Sequence, residues 1–256
     1  MNEILERIKT LNLQIENIYP VKGGDLNDTY RIESFNKKYF LKLNIAQNFP
    51  NLFVKEANGL KALAETNIFD IPEIIKNGET DNNFQYLILD WIEQGQPTIE
   101  NWESFGVNMA KFHQITNEQF GWSEDNYIAI IVQPNSYRST WVDFYSENRI
   151  LPMVKLLADK KLLKPKEVKA ANRLCTELIN IFPEEKPTLI HGDLWNGNII
   201  TRENGDITLI DPAIYYGHRE MDIALAELFG GFDDSFFNVY NEVFPLQGNF
   251  EERKQY

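Results

Sequence analysis

The chain has 256 residues, which suits one large domain or two modest ones. Its 25 Lys and Arg against 38 Asp and Glu give a formal net charge of −13, which argues against a broad cationic surface for nucleic acid or anionic lipid. One cysteine excludes an internal disulfide and a four-thiolate zinc site, and three histidines leave few ways to build a His-rich one. The charged amino terminus and the lack of a long apolar run predict a cytoplasmic protein without signal peptide or membrane span.

The first part of the chain is predicted to be rich in strands. Its apolar residues recur either every three to four positions, which is typical of a helix, or every two, which is typical of a strand. In chain order they predict a helix (3–15), an extended stretch (15–21), two strands within 30–44 with a turn near 34–37, a helix (53–65), and strands at 72–77 and 84–91. The last strand is apolar enough to lie in the interior of a sheet.

The remainder of the chain is predicted to be mainly helical. The predicted helices are 98–115, 141–160, 166–182, 219–227 and 230–244, with one short strand pair inside 187–213 that turns at Asn204-Gly205. Strands that come first and helices that follow predict an α+β fold in two lobes. We expect the lobes to be 1–91, small and β-rich, and 92–256, larger and mostly helical.

The strongest chemical signal is the segment HGDLWNGN at 191–198, followed thirteen residues after Asn198 by Asp211. A hairpin between them would bring two carboxylates and one amide oxygen together, and such oxygens suit Mg²⁺. Phosphoryl transfer uses one Asp to accept the proton of the nucleophile, and an Asn and a second Asp on the metal. We therefore expect Asp193 to be the catalytic base, and Asn198 and Asp211 to be magnesium ligands. The alternative is that these residues only form turns, as Gly, Asn and Asp often do.

Phosphoryl transfer of this kind also needs a strand lysine, an acidic partner on the next helix and a loop over the phosphates. Lys42 lies between Leu41 and Leu43 on a predicted strand, and Glu56 begins the next helix. We expect these two side chains to pair and to hold the nucleotide phosphates, although an exposed strand lysine and a glutamate near a helix start are also common. Gly23 and Gly24 are candidates for backbone contacts with phosphate.

Trp195 lies two residues after the expected base. An aromatic face in this place can stack on a sugar ring, or the side chain can belong to the core, and the sequence favours neither. Asp222 begins a helix, where it either braces the catalytic loop or acts as a plain helix-start carboxylate.

The chain resembles a known family over essentially its whole length. The resemblance is carried by HGDLWNGN and IDPAIYYGHREMDIALAELFGGF, and before them by FGWSEDNYI, QPN and WVDFYSENRI. They are similar to the fructosamine/ketosamine-3-kinase family, a branch of the aminoglycoside-phosphotransferase-like kinases. HGD followed after four residues by Asn is shared across that superfamily, whereas Trp195 and the DPA-x-YYG run are more particular to the family.

The resemblance implies a bilobal protein-kinase-like fold, the cofactors ATP and Mg²⁺, and phosphorylation of a sugar hydroxyl on a small-molecule or protein-bound ketoamine, a deglycation repair. It implies for Asp193, Asn198, Asp211, Lys42 and Glu56 the roles given above. It also implies that Leu89, Asp90 and Trp91 form the hinge whose backbone meets adenine. No nucleic-acid or membrane partner is expected, and the oligomeric state is left open.

Three other functions stay open at this point. The acceptor could be choline-like or aminoglycoside-like. Because family members continue beyond the final NFEERKQY, the chain could instead bind nucleotide without catalysis. A metal-dependent hydrolase could use Asp193, Asn198 and Asp211, but it would leave Lys42 and Glu56 without a role.

Overall fold

The computed structural model describes residues 14–21 and 27–256. The helix predicted over 3–15 lies almost wholly outside the described residues, as do Gly23 and Gly24.

The described chain forms two compact units. The first contains the described residues up to Pro97, with Ala129–Ile131 and Ile199–Pro212, and the second contains Thr98–Ile128, Val132–Asn198 and Ala213–Tyr256. The expected boundary at residue 91 therefore moves to Pro97, and segment 199–212 joins the first unit instead of the helical one. The reason is local pairing, since the backbone N–H of Gly95 donates to the carbonyl of Thr201 at 2.9 Å. That the units are nucleotide-binding and acceptor lobes stays a prediction.

The first unit is built on an antiparallel sheet of five strands. The strands are β1 (Asn17–Pro20), β2 (Asp28–Ser34), β3 (Lys37–Ile45), β4 (Ile74–Glu79) and β5 (Phe84–Asp90), in the spatial order β1-β2-β3-β5-β4. The predicted turn between β2 and β3 is confirmed, with Phe35 and Asn36 both at positive φ, as a two-residue hairpin requires. The expectation that 84–91 is an interior strand is also confirmed.

The two faces of this sheet bury different residues. One face carries a core that includes Ile32, Leu41, Leu43 and Ile88. The other face is covered by helix α1 (Leu52–Glu65), whose buried residues pack with Leu87 and Leu89. Because side chains alternate along a strand, the residue between Leu41 and Leu43 points to the face that α1 covers.

The second unit is mainly helical, as predicted. Its helices are α2 (Ile99–Phe112), α3 (Trp141–Tyr145), α4 (Leu151–Asp159), α5 (Pro165–Ile181), α6 (Glu220–Phe229), α7 (Asp234–Val243) and α8 (Phe250–Arg253), and a π-helical turn at Ser146–Ile150 joins α3 to α4. Helix α2 starts at a capping box formed by Thr98 and Asn101, which satisfies backbone donors at its amino end.

Short strand pairs complete the fold. They are β6 (Asn126–Ile128) with β7 (Ile131–Gln133), β8 (Thr188–Ile190) with β11 (Tyr215–Gly217), and β9 (Ile199–Thr201) with β10 (Ile207–Leu209). The turn predicted at Asn204-Gly205 is confirmed between β9 and β10. One strand pair was expected inside 187–213. The structure has a further strand there, β8, which pairs with β11 beyond that segment. The β6–β7 hairpin was not predicted.

Candidate functional site

The first unit contains a buried lysine in contact with two carboxylates. Lys42 lies on β3 with 4% of its surface exposed, so the alternative of an exposed strand lysine was wrong. Its Nζ donates to Oε1 of Glu56 on α1 at 2.8 Å and also to Oδ1 of Asp211. The predicted pairing of Lys42 with Glu56 is therefore present, and Asp211 joins the same group through the segment after β10.

The charges of this group are unevenly balanced. Burial opposes the ammonium of Lys42, but the carboxylates of Asp211 and Glu56 outweigh it and raise the pKa of Lys42. Burial raises the pKa of Glu56 to about 8; Asp211 adds to this rise, and Lys42 opposes it. One ammonium thus faces two carboxyl groups, and a further cation would relieve the repulsion between them.

Asp211 has an unusual backbone conformation. Its φ is 53°, in the left-handed region that costs energy for residues other than glycine. Its side chain is 40% exposed, although it contacts the buried Lys42. The strained backbone thus presents a carboxylate that is open to solvent on one side.

The second unit contains the loop with Asp193 and Asn198. The side-chain amide of Asn198 donates to Oδ2 of Asp193 at 2.7 Å and to the carbonyl oxygen of Asp193 at 2.8 Å. Because the amide nitrogen serves these two bonds, the amide oxygen of Asn198 is the atom that can meet a cation. A short 3-10 turn over Asn196–Asn198 holds this arrangement.

Asp222 on α6 braces this loop through its backbone. Its Oδ2 accepts from the N–H of His191 at 2.7 Å, and its Oδ1 accepts from the N–H of Gly192 at 2.9 Å. Gly192 has a φ of 81°, and a Cβ there would come within 2.2 Å of the carbonyl oxygen of Ala213. A glycine is therefore required, and of the two readings of Asp222 the loop brace is the one present.

Trp195 is partly exposed beside the same loop. Its side chain keeps 37% exposure, so it is not a core aromatic. A Cβ on Gly197 would lie 2.2 Å from the indole, which means that Gly197 makes room for the ring. The indole centroid lies 5.5 Å from that of Phe229, which is 62% exposed. Whether this aromatic surface contacts a substrate stays a prediction.

The expected hinge residues end the interior strand of the sheet. The backbone N–H groups of Asp90 and Trp91 donate to the carbonyls of Glu73 and Lys38, at 3.0 and 3.2 Å. These two donors are therefore not open to a nucleotide base. Leu89 is buried between α1 and the sheet. The role of this segment in binding adenine stays a prediction.

The oxygen atoms of Asn198 and Asp211 are of the kind that Mg²⁺ prefers. The two carboxyl groups that share Lys42 fit an added positive charge, which supports a cation beside Asp211. In residues 14–21 and 27–256, no group of three or more His, Cys, Asp or Glu side chains could hold a metal ion by itself. None of the helices in the described part of the chain combines the length and apolar composition needed to cross a bilayer.

Two features near the loop were missed from the sequence. The first is the contact of Phe229 with Trp195. The second is the hydrogen-bonded series in which His113 lies between Tyr240 and Asp222. These partners lie 34 to 127 positions apart, and no local motif marks them. Only the run LFGGF, which spans the end of α6 and the residues after it, pointed to this region.

Comparison of the sequence with known proteins points to one family of kinases. The model of the fructosamine kinase family matches residues 1–256. A probable ketoamine kinase of Synechocystis is 36% identical over 91% of this chain and 78% of its own length. A chloroplastic protein-ribulosamine 3-kinase of Arabidopsis thaliana is 33% identical over 94% of this chain and 74% of its own length.

Solved structures agree on the fold. The crystal structure of a putative fructosamine-3-kinase from Haemophilus somnus superposes with a TM-score of 0.86 at 28% identity, covering 99% of this chain and 84% of that one. An aminoglycoside phosphotransferase superposes with a TM-score of 0.62 at 15% identity, covering 99% of this chain and 84% of that one, which shows a shared fold alone. The expected α+β, protein-kinase-like fold is thereby confirmed.

Proposed function

The chain belongs to the fructosamine kinase family, and we propose that it is an ATP-dependent kinase that phosphorylates a sugar hydroxyl of ketoamine adducts such as fructosamines or ribulosamines. The observation that carries the proposal is Lys42, buried against Glu56 and Asp211. Burying an ammonium with two carboxylates is costly, and a purely structural position could use apolar residues instead. Binding of nucleotide phosphates explains why this position keeps its charge.

The two units supply different parts of the reaction. In the first unit, the ammonium of Lys42 meets the nucleotide phosphates, and Glu56 keeps it oriented. In the second, Asp193 orients the acceptor hydroxyl and takes its proton, while the amide of Asn198 holds the carboxylate of Asp193 in position. The brace from Asp222 keeps the backbone of this loop fixed, so the rate derives largely from positioning and electrostatics.

We propose Asn198 and Asp211 as the residues that would hold magnesium. When bound, it supplies positive charge to the phosphate oxygens. The two bonds to Asp193 use the amide nitrogen of Asn198 and not its oxygen, and Asp211 shares the ammonium of Lys42 with a second carboxyl group. We also place the protein in the cytoplasm, in keeping with its single cysteine.

The test is transfer of phosphate from ATP to a panel of acceptors: free and protein-bound ketoamines, the parent sugars, choline and aminoglycosides. We expect turnover on ketoamines and little on the others, with Asp193→Asn as the inactive control. Turnover on choline or aminoglycosides alone would reject the ketoamine acceptor and keep the kinase. Nucleotide binding without turnover on any acceptor would favour the non-catalytic alternative, and loss of phosphate to water as the main reaction would favour a hydrolase.

A further inference from the structure

A chain of buried polar side chains lies behind the Asp222 brace in the second unit. Oδ2 of Asp222 lies 3.3 Å from Nε2 of His113, which follows directly after α2. Nδ1 of the same imidazole lies 2.8 Å from the hydroxyl of Tyr240 on α7. The hydroxyl in turn accepts from Nη1 of Arg219 at 3.3 Å. The four side chains are at most 1% exposed, so water does not replace these contacts.

The two ends of this chain determine where its protons lie. A carboxylate accepts hydrogen bonds and does not donate them, so Nε2 of His113 carries a proton toward Asp222. A guanidinium only donates, so the Tyr240 hydroxyl accepts from Arg219 and keeps its own proton available for Nδ1 of His113. Burial raises the pKa of Tyr240, which keeps this proton on the hydroxyl. This hydrogen-bond arrangement fits the imidazole tautomer that carries its proton on Nε2.

Helices α2 and α7, which position the two partners, pack closely against each other. The rings of Phe105 and Phe236 pack with centroids 5.3 Å apart. A Cβ on Gly106 would lie 2.6 Å from the carbonyl oxygen of Phe236, so the helix backbones approach each other closely. His113 directly follows α2 and Tyr240 lies on α7, so this packing determines their separation.

We propose that Tyr240 is a positioning residue for the loop that carries Asp193: its hydroxyl selects the His113 tautomer that donates to Asp222. Asp222 then holds the backbone N–H groups of His191 and Gly192, next to Asp193. The effect on catalysis rests on the proposed function, because the loop matters for rate only if Asp193 is the base. The hydrogen-bond arrangement itself does not depend on that function.

The experiment uses Tyr240→Phe, which keeps the ring and removes the hydroxyl. Nitrogen-15 NMR of the imidazoles reports the tautomer directly, and with three histidines in the chain the His113 signals can be assigned from His113→Gln. In the unmodified protein we expect Nε2 protonated and Nδ1 bare. In Tyr240→Phe we expect a mixture of tautomers and faster amide hydrogen exchange at His191 and Gly192.

The expected kinetic effect is a kcat lowered ~3- to 10-fold at unchanged KM for ATP, as for the loss of one buried hydrogen bond. In the His113→Gln background, the same substitution should add little further loss, because both act through one path. Tyr145→Phe is the matched control. Its hydroxyl donates to the backbone carbonyl of Tyr256 at 2.9 Å, and its loss should change neither the tautomer nor kcat.

Several results would overturn the inference. An Nδ1–H or doubly protonated His113 in the unmodified protein would do so even if Tyr240→Phe did not fold. So would a stable Tyr240→Phe with unchanged tautomer and unchanged exchange, or a kcat loss fully additive with His113→Gln. If ketoamine turnover were absent but the tautomer and exchange changed as expected, the proposed function would fail and the positioning of the loop by Tyr240 would stand.

Discussion

At the scale of single residues, three side chains of the first unit form one electrostatic group. Lys42 is charged because two carboxyl groups outweigh the cost of burying it, and Glu56 has a raised pKa because one ammonium cannot neutralise both. In the second unit, Asp193 is oriented by the amide of Asn198. The roles of these residues in catalysis and binding are predictions, and they can be separated by substitution.

Asp193→Asn tests the base. Asparagine keeps the shape of the side chain and cannot accept the proton, so we expect kcat to fall by ~10²–10⁴-fold. Affinity for a non-hydrolysable ATP analogue, measured by calorimetry, should stay nearly unchanged because Lys42, Glu56 and Asp211 are intact. Near-normal turnover in a folded variant would show that the loop is structural.

Asp211→Asn tests the metal ligand. The substitution removes a charged oxygen from the proposed magnesium site, so nucleotide binding should weaken and the residual rate should need a much higher Mg²⁺ concentration. Titration of activity with Mg²⁺ in the variant and the unmodified protein measures this. A Mg²⁺ dependence equal in both would remove Asp211 from the metal site.

Glu56→Gln tests the uneven charge of the buried group. Between the ordinary pKa of 4.5 and a folded value of about 8, the folded protein binds a proton that the unfolded chain has released. Stability from this group is therefore present at low pH and is lost as the pH rises through that window. In the absence of nucleotide, the free energy of unfolding of Glu56→Gln should rise relative to that of the unmodified protein by ~1–3 kcal/mol between pH 5 and pH 8. Denaturant unfolding at both pH values measures the difference, and a constant difference would contradict the raised pKa.

At the scale of elements, the second unit is held together by buried ion pairs as well as by apolar packing. Helix α8 contributes Arg253, whose guanidinium makes a two-fold contact with Glu220 at the start of α6, at 2.9 and 2.6 Å. The same side chain donates to the carbonyl oxygen of Gln247 at 3.0 Å. Glu220 and Asp222 both lie in the first turn of α6, so α8 is tied to the element that braces the loop.

Arg253→Met should destabilise the protein by ~3–5 kcal/mol, because it leaves the buried carboxylate of Glu220 without its partner. Lys254→Met is the matched control on the neighbouring residue. Lys254 pairs with Glu227 and Glu251 at the surface, and its loss should cost less than ~1 kcal/mol. Equal effects of the two substitutions on the free energy of unfolding would contradict this assignment.

At the scale of the whole molecule, the excess of acid is the dominant electrostatic feature. The net charge of −13 repels polyanions, so a nucleotide must be held by local cations such as Lys42 and the proposed magnesium ion. Ketoamine adducts of amines are not polyanions, so the negative charge of the protein does not repel them as it repels a nucleotide. The overall charge therefore restricts the class of partner, while the site restricts the reaction.

This charge predicts that the protein does not bind nucleic acid. In a gel-shift assay with duplex DNA or RNA, we expect no retardation at micromolar protein even at about 50 mM salt, where phosphate contacts are strongest. A known basic DNA-binding protein serves as the positive control. Retardation that weakens steeply with added salt would reveal a cationic surface that the composition does not predict.

Much of the architecture followed from the sequence by itself. Periodicity predicted α1, α2, α5 and the strands of the five-stranded sheet, because apolar residues repeat every two positions in a strand and every three to four in a helix. The loop at 191–198 and the turn at Asn204-Gly205 were also identified, since Gly, Asn and Asp mark turns locally. The family was identified from this loop together with stretches that lie before and after it.

Other features were decided only by the tertiary structure. Alternation placed Lys42 on a strand, but its burial depends on α1 covering that face, and its contact with Asp211 joins residues 169 positions apart. Asp222 reaches the loop across 31 positions, and His113 reaches Tyr240 across 127. Local patterns determine which elements form, because backbone periodicity and turn chemistry act over a few residues. Which side chains then meet depends on how whole elements pack, and no window of the sequence contains that information.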